Sequence, residues 1–298
     1  MVNGTVLERD GSAYRVLTPG GEVRAVLRGK MKRDTPHVVV GDRVRLDLEG
    51  EGGVMGIAGV EERTSLLARR VPEGRGTRPV VANVDQVLVV TAAVDPAPIP
   101  QLIDRLLVVA EANELTAAVV INKTDLDPGA ALAARMELAG YRVFRTSARS
   151  GEGLEELRAA LMGRESVVTG PSGAGKSSLL NALEPGLGLR TGELSARVRR
   201  GKHTTVSAVM VPLAGSGYLV DTPGFSEVGL WGLAPRDLAH CFPEFRPLVE
   251  QCRFPDCSHT HEPGCAVLGA VGAGVSADRH ETYRTLLAEI KGEPAAWE

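Results

Sequence analysis

The sequence lacks any apolar run approaching the roughly 18 residues that cross a bilayer, which argues against a membrane-spanning helix. At Met1-Val2-Asn3-Gly4 it also lacks the basic stretch and apolar block of a secretory leader, so a reducing cytoplasm is the expected compartment. Cysteine is scarce, with 4 residues in 298, three of them close together near the C-terminus. That distribution suggests metal rather than disulfides. Positive charge is not in excess. A net charge of -3 and a pI near 6.1 predict no general affinity for nucleic acid, so any polyanion contact must come from local clusters. Two exist: Arg24, Arg28, Lys30, Lys32 and Arg33, and then Arg190, Arg197, Arg199, Arg200 and Lys202.

The rest of the composition is that of a soluble globular chain, with 43% hydrophobic and 24% charged residues, long enough for two or three cores. Residues 1 to about 63 read as five short strands (4–7, 13–17, 23–27, 42–48 and 56–60) separated by Gly-rich turns. Five strands at this spacing suit a small closed barrel of the oligonucleotide-binding (OB) type. Aromatic residues are few, with Tyr14 the main candidate in the barrel, so base stacking is not expected to be the chief source of affinity for nucleic acid. Thr64 to Pro79 is Arg/Gly/Pro-rich and reads as a linker or ordered loop. From Asn83 strand and helix alternate, which implies a mainly parallel sheet covered on both faces, the α/β class. A Pro- and Cys-rich helical segment ends the chain. The expected division is 1–65, 66–232 and 233–298.

Gly170-Pro-Ser-Gly-Ala-Gly175-Lys176-Ser177-Ser178 lies between an apolar strand and a helix, the context of a phosphate-binding loop. Its glycines Gly170, Gly173 and Gly175 let the N–H groups of Ser172, Ala174 and their neighbours turn toward phosphate. Lys176 would reach the outer phosphates, and the Ser177 hydroxyl would ligate Mg²⁺. Asp221-Thr-Pro-Gly224 follows the strand Tyr218-Leu-Val. Asp221 could hold Mg²⁺ through water, and the Gly224 N–H could meet a γ-phosphate. In Asn122-Lys123-Thr124-Asp125, the Asp125 carboxylate can accept two hydrogen bonds from guanine. Adenine lacks that donor pair and would leave the carboxylate desolvated. Asn122 can support the loop, the Lys123 stem can lie over the ring, and Ser147-Ala148 at the next strand end offers an N–H to guanine O6. Here the base-reading segment precedes the phosphate loop, the reverse of the usual order in guanine-nucleotide proteins.

Between the two phosphate-side motifs lies Gly201-Lys-His203-Thr204-Thr205. Thr205, with Thr204 as second choice, is the expected switch threonine closing over Mg²⁺ and the γ-phosphate. His203 is a candidate for positioning water, because Phe225 stands where relatives often carry a glutamine. Further on, Cys252, Cys257, His259 and Cys265 offer three thiolates and an imidazole, a set that matches four-coordinate structural zinc. His261 rivals His259, and Cys241 reads as a buried small apolar group.

Taken together these segments resemble the circularly permuted GTPases. With the barrel, Leu27-Arg-Gly-Lys30 and the Cys/His loop, they resemble the RsgA (YjeQ) family of ribosome small-subunit biogenesis GTPases over essentially the whole chain. The resemblance implies Mg²⁺-dependent GTP hydrolysis stimulated by the small (30S) subunit. It also implies rRNA contact through the barrel and zinc domain, and a late role in subunit maturation. Nothing suggests a homo-oligomer, so a monomer is expected. Two other readings remain: an rRNA-binding module in which guanine nucleotide is mainly structural, and a small-molecule kinase, which would have no use for Asn122–Asp125.

Overall fold

The computed structural model describes residues 1–27, 37–47, 54–70, 77–184, 208–214, 216–221, 230 and 233–292. The expectations for His203, Thr204, Thr205, Gly224 and Phe225 lie outside these residues, as do those for Arg28–Arg33 and Arg190–Lys202.

Five strands form the N-terminal barrel: β1 (Val2–Asp10), β2 (Ala13–Thr18), β3 (Gly21–Leu27), β4 (Arg43–Asp47) and β5 (Met55–Val60). They run in the order β1-β2-β3-β5-β4, and β4 pairs back onto β1, so the sheet closes. Only β3 and β5 pair in parallel. Alternation explains the interior: in Arg43-Val-Arg-Leu-Asp47, Val44 and Leu46 are buried while both arginines face solvent. Tyr14 falls on the same inward register as Val16 and is 3% exposed. It belongs to the barrel core with Val6, Ala25 and Ile57, so the barrel's main aromatic candidate does not present its ring for stacking on a base.

Residues 64–79 are not a simple linker. Strands β6 (Leu66–Arg70) and β7 (Thr77–Ala82) pair as an antiparallel hairpin, with Leu67 and Val81 buried. A register shift between Leu67 and Ala68 lets the strand accommodate Pro79 opposite Ala68.

The nucleotide-motif region is a layered sheet built from β8 (Gln86–Ala92), β9 (Thr116–Asn122), β10 (Arg142–Arg145), β11 (Glu165–Thr169), β12 (Val209–Pro212) and β13 (Tyr218–Asp221). Its order is β10-β9-β8-β11-β13-β12, all parallel except the β12–β13 pair. Strands β8 and β11 are buried at every residue, as expected for strands covered on both faces. Connecting helices are α1 (Pro100–Ala112), α2 (Ala130–Leu138), α3 (Leu154–Leu161) and α4 (Lys176–Leu183). A proline at the first position opens α1, where its missing N–H costs nothing.

Glu8 of β1 pairs with Val209 of β12, so barrel and layered sheet form one 11-stranded sheet. Gly41, at φ +84, seals the junction: a Cβ there would fall 2.1 Å from the Ala82 carbonyl oxygen. The Asn83 amide donates to the Gly41 carbonyl at 2.8 Å. Nearby, Arg43 pairs with Glu165 at 3.5 Å. Burial pushes the Glu165 carboxyl up to about 7, an effect Arg43 only partly offsets.

The C-terminal segment carries a 3-10 helix (Pro235–Cys241) and the helices α5 (Arg246–Val249), α6 (Ala266–Ala270) and α7 (Ala277–Lys291). Phe242 stacks on Phe245 at its centre, Tyr283 meets Phe242 edge-on and Phe245 at a tilt, and their cluster is continuous with the core beneath α1.

Candidate functional site

Because β8, β9, β10, β11 and β13 run in parallel, the loops after them leave from one edge of the sheet, where ligands gather in such folds. Asn122 ends β9 and is 1% exposed. Its Nδ2 donates to the Ala174 carbonyl at 3.1 Å, 52 residues away, and its Oδ1 accepts from the Ala148 N–H at 3.2 Å. One amide thus pins three loops: the base-reading segment, the phosphate loop and the turn after β10.

Asp125 is exposed, and its Oδ1 accepts from the Ser147 hydroxyl at 2.6 Å. Ser147 Oγ in turn accepts from the Arg149 and Ser150 N–H groups at 3.2 and 3.0 Å, which fixes the hydroxyl that holds the carboxylate. The Lys123 ammonium donates to the Asp95 carbonyl, and Lys123 itself sits at φ +66.

In the phosphate loop, Gly170, Gly173 and Gly175 have φ of +139, +80 and +85. Two of them also face close neighbours. A Cβ on Gly170 would lie 1.9 Å from the Val90 carbonyl oxygen, and one on Gly175 would lie 2.5 Å from Asn122 Nδ2. The loop leads into α4, so backbone N–H groups and the helix N-terminus gather where Lys176 and Ser177 begin the helix. The Lys176 ammonium donates to the carbonyls of Gly170 and Pro171 at 2.7 and 2.8 Å, placing its charge at the mouth of the loop. Asp221 ends β13 in register with Val168 of β11, which brings its backbone to the same edge.

Sequence reasoning did not find the segment 93–99 between β8 and α1. Its Asp95 holds Lys123, and its Pro96 ring would lie 3.1 Å from a Cβ on Gly173. The signal available was positional: Pro96, Pro98 and Pro100 directly follow a strand that ends at the same edge.

A second constellation lies in the C-terminal segment. The ligand atoms of Cys252, Cys257, His259 and Cys265 all fall within 4.8 Å of one another. Both Cys252 Sγ and Cys265 Sγ are 3.5 Å from His259 Nδ1, and the two sulfurs are 3.8 Å apart. A tetrahedral ion with bonds of about 2.3 Å to sulfur and about 2.0 Å to nitrogen needs ligand atoms roughly 3.5–3.8 Å apart. The donor set therefore fits such an ion. Geometry also separates the rival histidines. His259 is 5% exposed and faces the sulfurs, whereas His261 is exposed with Nδ1 against Thr260 Oγ1 at 2.8 Å. Burial lowers the His259 pKa, favouring the neutral imidazole that binds metal. Burial also pushes the Cys257 thiol up to about 12, so ionising the crowded thiols calls for a cation. Cys241 is buried, with its thiol against the Asp237 carbonyl, apart from this set.

The loop around the set is tied down. Burial raises the Glu262 pKa, but hydrogen bonds from the Ser258 hydroxyl and N–H, from its own N–H and from that of His261 outweigh it and hold the carboxyl well below its usual range. From α7, His280 Nε2 lies 2.8 Å from the His259 carbonyl oxygen, and the Tyr283 hydroxyl donates to the Ser258 carbonyl at 2.9 Å.

Known proteins share this plan. A family profile described as RsgA GTPase matches residues 60–231. A protein of Gemmatimonas aurantiaca named small ribosomal subunit biogenesis GTPase RsgA is 51% identical, over 97% of each chain. One of the same name from Thermotoga maritima is 40% identical over 92% of this chain and 90% of its own. Among solved structures, YjeQ from Thermotoga maritima superposes with a TM-score of 0.79 at 36% identity, covering 98% of this chain and 99% of that one. YloQ, described as a circularly permuted GTPase, gives 0.77 at 28% identity, covering 99% and 97%.

Proposed function

We infer, because this chain belongs to the RsgA GTPase family, that it hydrolyses GTP to GDP and phosphate in the biogenesis of the small ribosomal subunit. The observation that carries the site assignment is the Asn122 amide, which ties the base-reading and phosphate loops into one pocket. Asp125, set by Ser147, selects guanine, while Ala148 N–H and the Lys123 stem complete the base site. The backbone of Gly170–Ser178 and the Lys176 ammonium bind the phosphates and offset charge as it develops on the leaving oxygens. Ser177, Thr205 and Asp221 would hold Mg²⁺, which supplies further charge neutralisation when bound. Thr205 and the Gly224 N–H act on the γ-phosphate side, and His203 orients the attacking water.

Cys252, Cys257, His259 and Cys265 bind zinc. Four protein ligands leave no position for substrate, so the zinc is structural. The chain works as a monomer in the cytoplasm, with a barrel (1–65), a GTPase unit (66–232) and a zinc-binding unit (233–298). Its partner is the small subunit, met partly through rRNA. With Tyr14 buried, the barrel offers charge rather than a stacking ring: Arg24, Arg43 and Arg45 are exposed on its strands. Affinity for subunits therefore falls steeply with salt. The deciding experiment measures phosphate release from GTP and from ATP, with and without purified small subunits. The reading requires turnover of GTP alone, accelerated by subunits. Equal turnover of ATP, or no acceleration, would defeat it.

A further inference from the structure

Outside both constellations lies a cluster of charges that neither nucleotide chemistry nor metal coordination uses. Arg279 of α7 and Asp104 of α1 are each 0% exposed, and they pair at 2.7 Å. Asp104 also accepts from Arg135 of α2 at 3.0 Å, and Glu244 accepts from Arg279 at 3.1 Å. The Arg279 guanidinium lies over the rings of Phe242 and Tyr141, 5.0 and 5.4 Å from their centroids. Two cations and two carboxylates balance one another in an interior where an unmatched charge would be very costly. A guanidinium fork satisfies its acceptors in one arrangement only. An apolar contact could slide there; this one cannot.

Two of the helices that meet at this cluster, α1 and α2, are ones that leave the nucleotide edge. Helix α1 follows the segment whose Asp95 carbonyl holds Lys123 and whose Pro96 covers Gly173. Helix α2 follows the base-reading loop, where the Asp127 carboxylate accepts from the Gly129 N–H at 2.7 Å. On the far side, the residue after Arg279 is His280, and with Tyr283 it grips the carbonyls of His259 and Ser258 in the metal loop. Two outer ion pairs reinforce the same contact, Arg105 with Glu289 and Glu111 with Arg246.

We propose that the Arg279–Asp104–Arg135–Glu244 cluster is a joint that links guanine-nucleotide binding at the sheet edge to metal binding by the Cys/His loop, so that each strengthens the other. The proposal rests on the nucleotide and zinc assignments above and adds a coupling between them. Linkage makes the effect reciprocal: the factor by which GDP raises zinc affinity equals the factor by which zinc raises GDP affinity.

The test uses the full chain with its zinc. Zinc affinity is measured by competition with a chelator of known strength, with and without saturating Mg²⁺-GDP, and GDP affinity is measured with and without zinc. The expected factor is about fivefold or more, equal in both directions. In the double variant Asp104→Asn/Arg279→Gln, which removes both fully buried charges while the new amides can still hydrogen-bond Arg135 and Glu244, both sites still bind and the factor falls toward one. Should that variant not fold, Arg279→Lys, which keeps the charge but reaches fewer acceptors, is expected to reduce the factor. Zinc affinity unaffected by GDP in the native chain, or a factor unchanged in the variants, would overturn the joint. Failure to bind GDP or zinc at all would overturn the functional reading with it; binding of both without linkage overturns the joint alone.

Discussion

The nucleotide edge and the metal loop solve the problem of gathering polar groups in opposite ways. Groups at the nucleotide edge come from loops scattered between Asp95 and Asp221, held in place by parallel strands and latched by the Asn122 amide across 52 positions. Those of the metal loop come from Cys252 to Cys265, and local turns bring them together with Glu262 as internal brace. The first arrangement is a property of the sheet, so it persists whatever order the chain visits its strands. The second is a property of one short stretch, in which a bound cation would neutralise crowded thiols. A circular permutation can therefore rotate the nucleotide motifs without cost to their geometry, while the Cys/His loop has to stay contiguous.

That contrast can be broken first at the metal. Structural zinc contributes on the order of 10–16 kcal/mol in isolated zinc-finger peptides. A strong chelator should abolish amide-exchange protection at 252–265 and at the nearby turns of α7, while β8, β9 and β11 keep theirs; parallel loss across the sheet would show that the two regions are not separate in kind. Next in size, Lys176→Ala should lower GTP turnover by about 10²–10³-fold, the usual loss when one charge-stabilising donor is removed, with the circular dichroism spectrum unchanged. An unaltered rate would take Lys176 out of the phosphate site.

The latch itself comes third. Gly175→Ala forces a Cβ to within 2.5 Å of Asn122 Nδ2 at φ +85, and it should cost about 1–3 kcal/mol in thermal stability with weaker GTP binding. Asn122→Ala removes the obstructing amide. In that background the added cost of Gly175→Ala should shrink to its backbone strain, a coupling that a double-mutant cycle reads directly.

The smallest effect lies at the barrel junction. The folded Glu165 carboxyl is held at about 7, above its ordinary 4.5, so the folded state binds the extra proton between those values. Stability contributed by the protonated form is present below about 4.5 and is lost as pH rises through about 7. Glu165→Gln should therefore flatten the melting temperature against pH in that window. It should gain about 1 kcal/mol at pH 8, less whatever the Arg43 pair contributed.

Much of this was legible before any coordinates. Short strand-like stretches between Gly-rich turns marked the barrel, and the alternation of strand and helix after Asn83 marked the layered sheet. The phosphate loop and the Cys/His set are local in sequence and were read directly. Residue type alone left Tyr14 as the barrel's candidate for stacking, whereas its register with Val16 turns the ring inward. The β6–β7 hairpin was hidden by Arg, Gly and Pro, residues that signal turns yet are tolerated beside a bulge. The pairing of Arg279 with Asp104 spans 175 positions, and no local pattern announces it. Likewise, nothing in Asn122-Lys-Thr-Asp125 says that the asparagine spends its amide on the Ala174 carbonyl.

The single rung between Glu8 and Val209 gives the molecule a load path. Strand β12 stands only a few residues beyond Thr205 in the chain, and its other edge is bonded to β13, which ends at Asp221. Tension on the barrel is thus delivered through β12 to the strand that ends at Asp221, all within one hydrogen-bonded sheet.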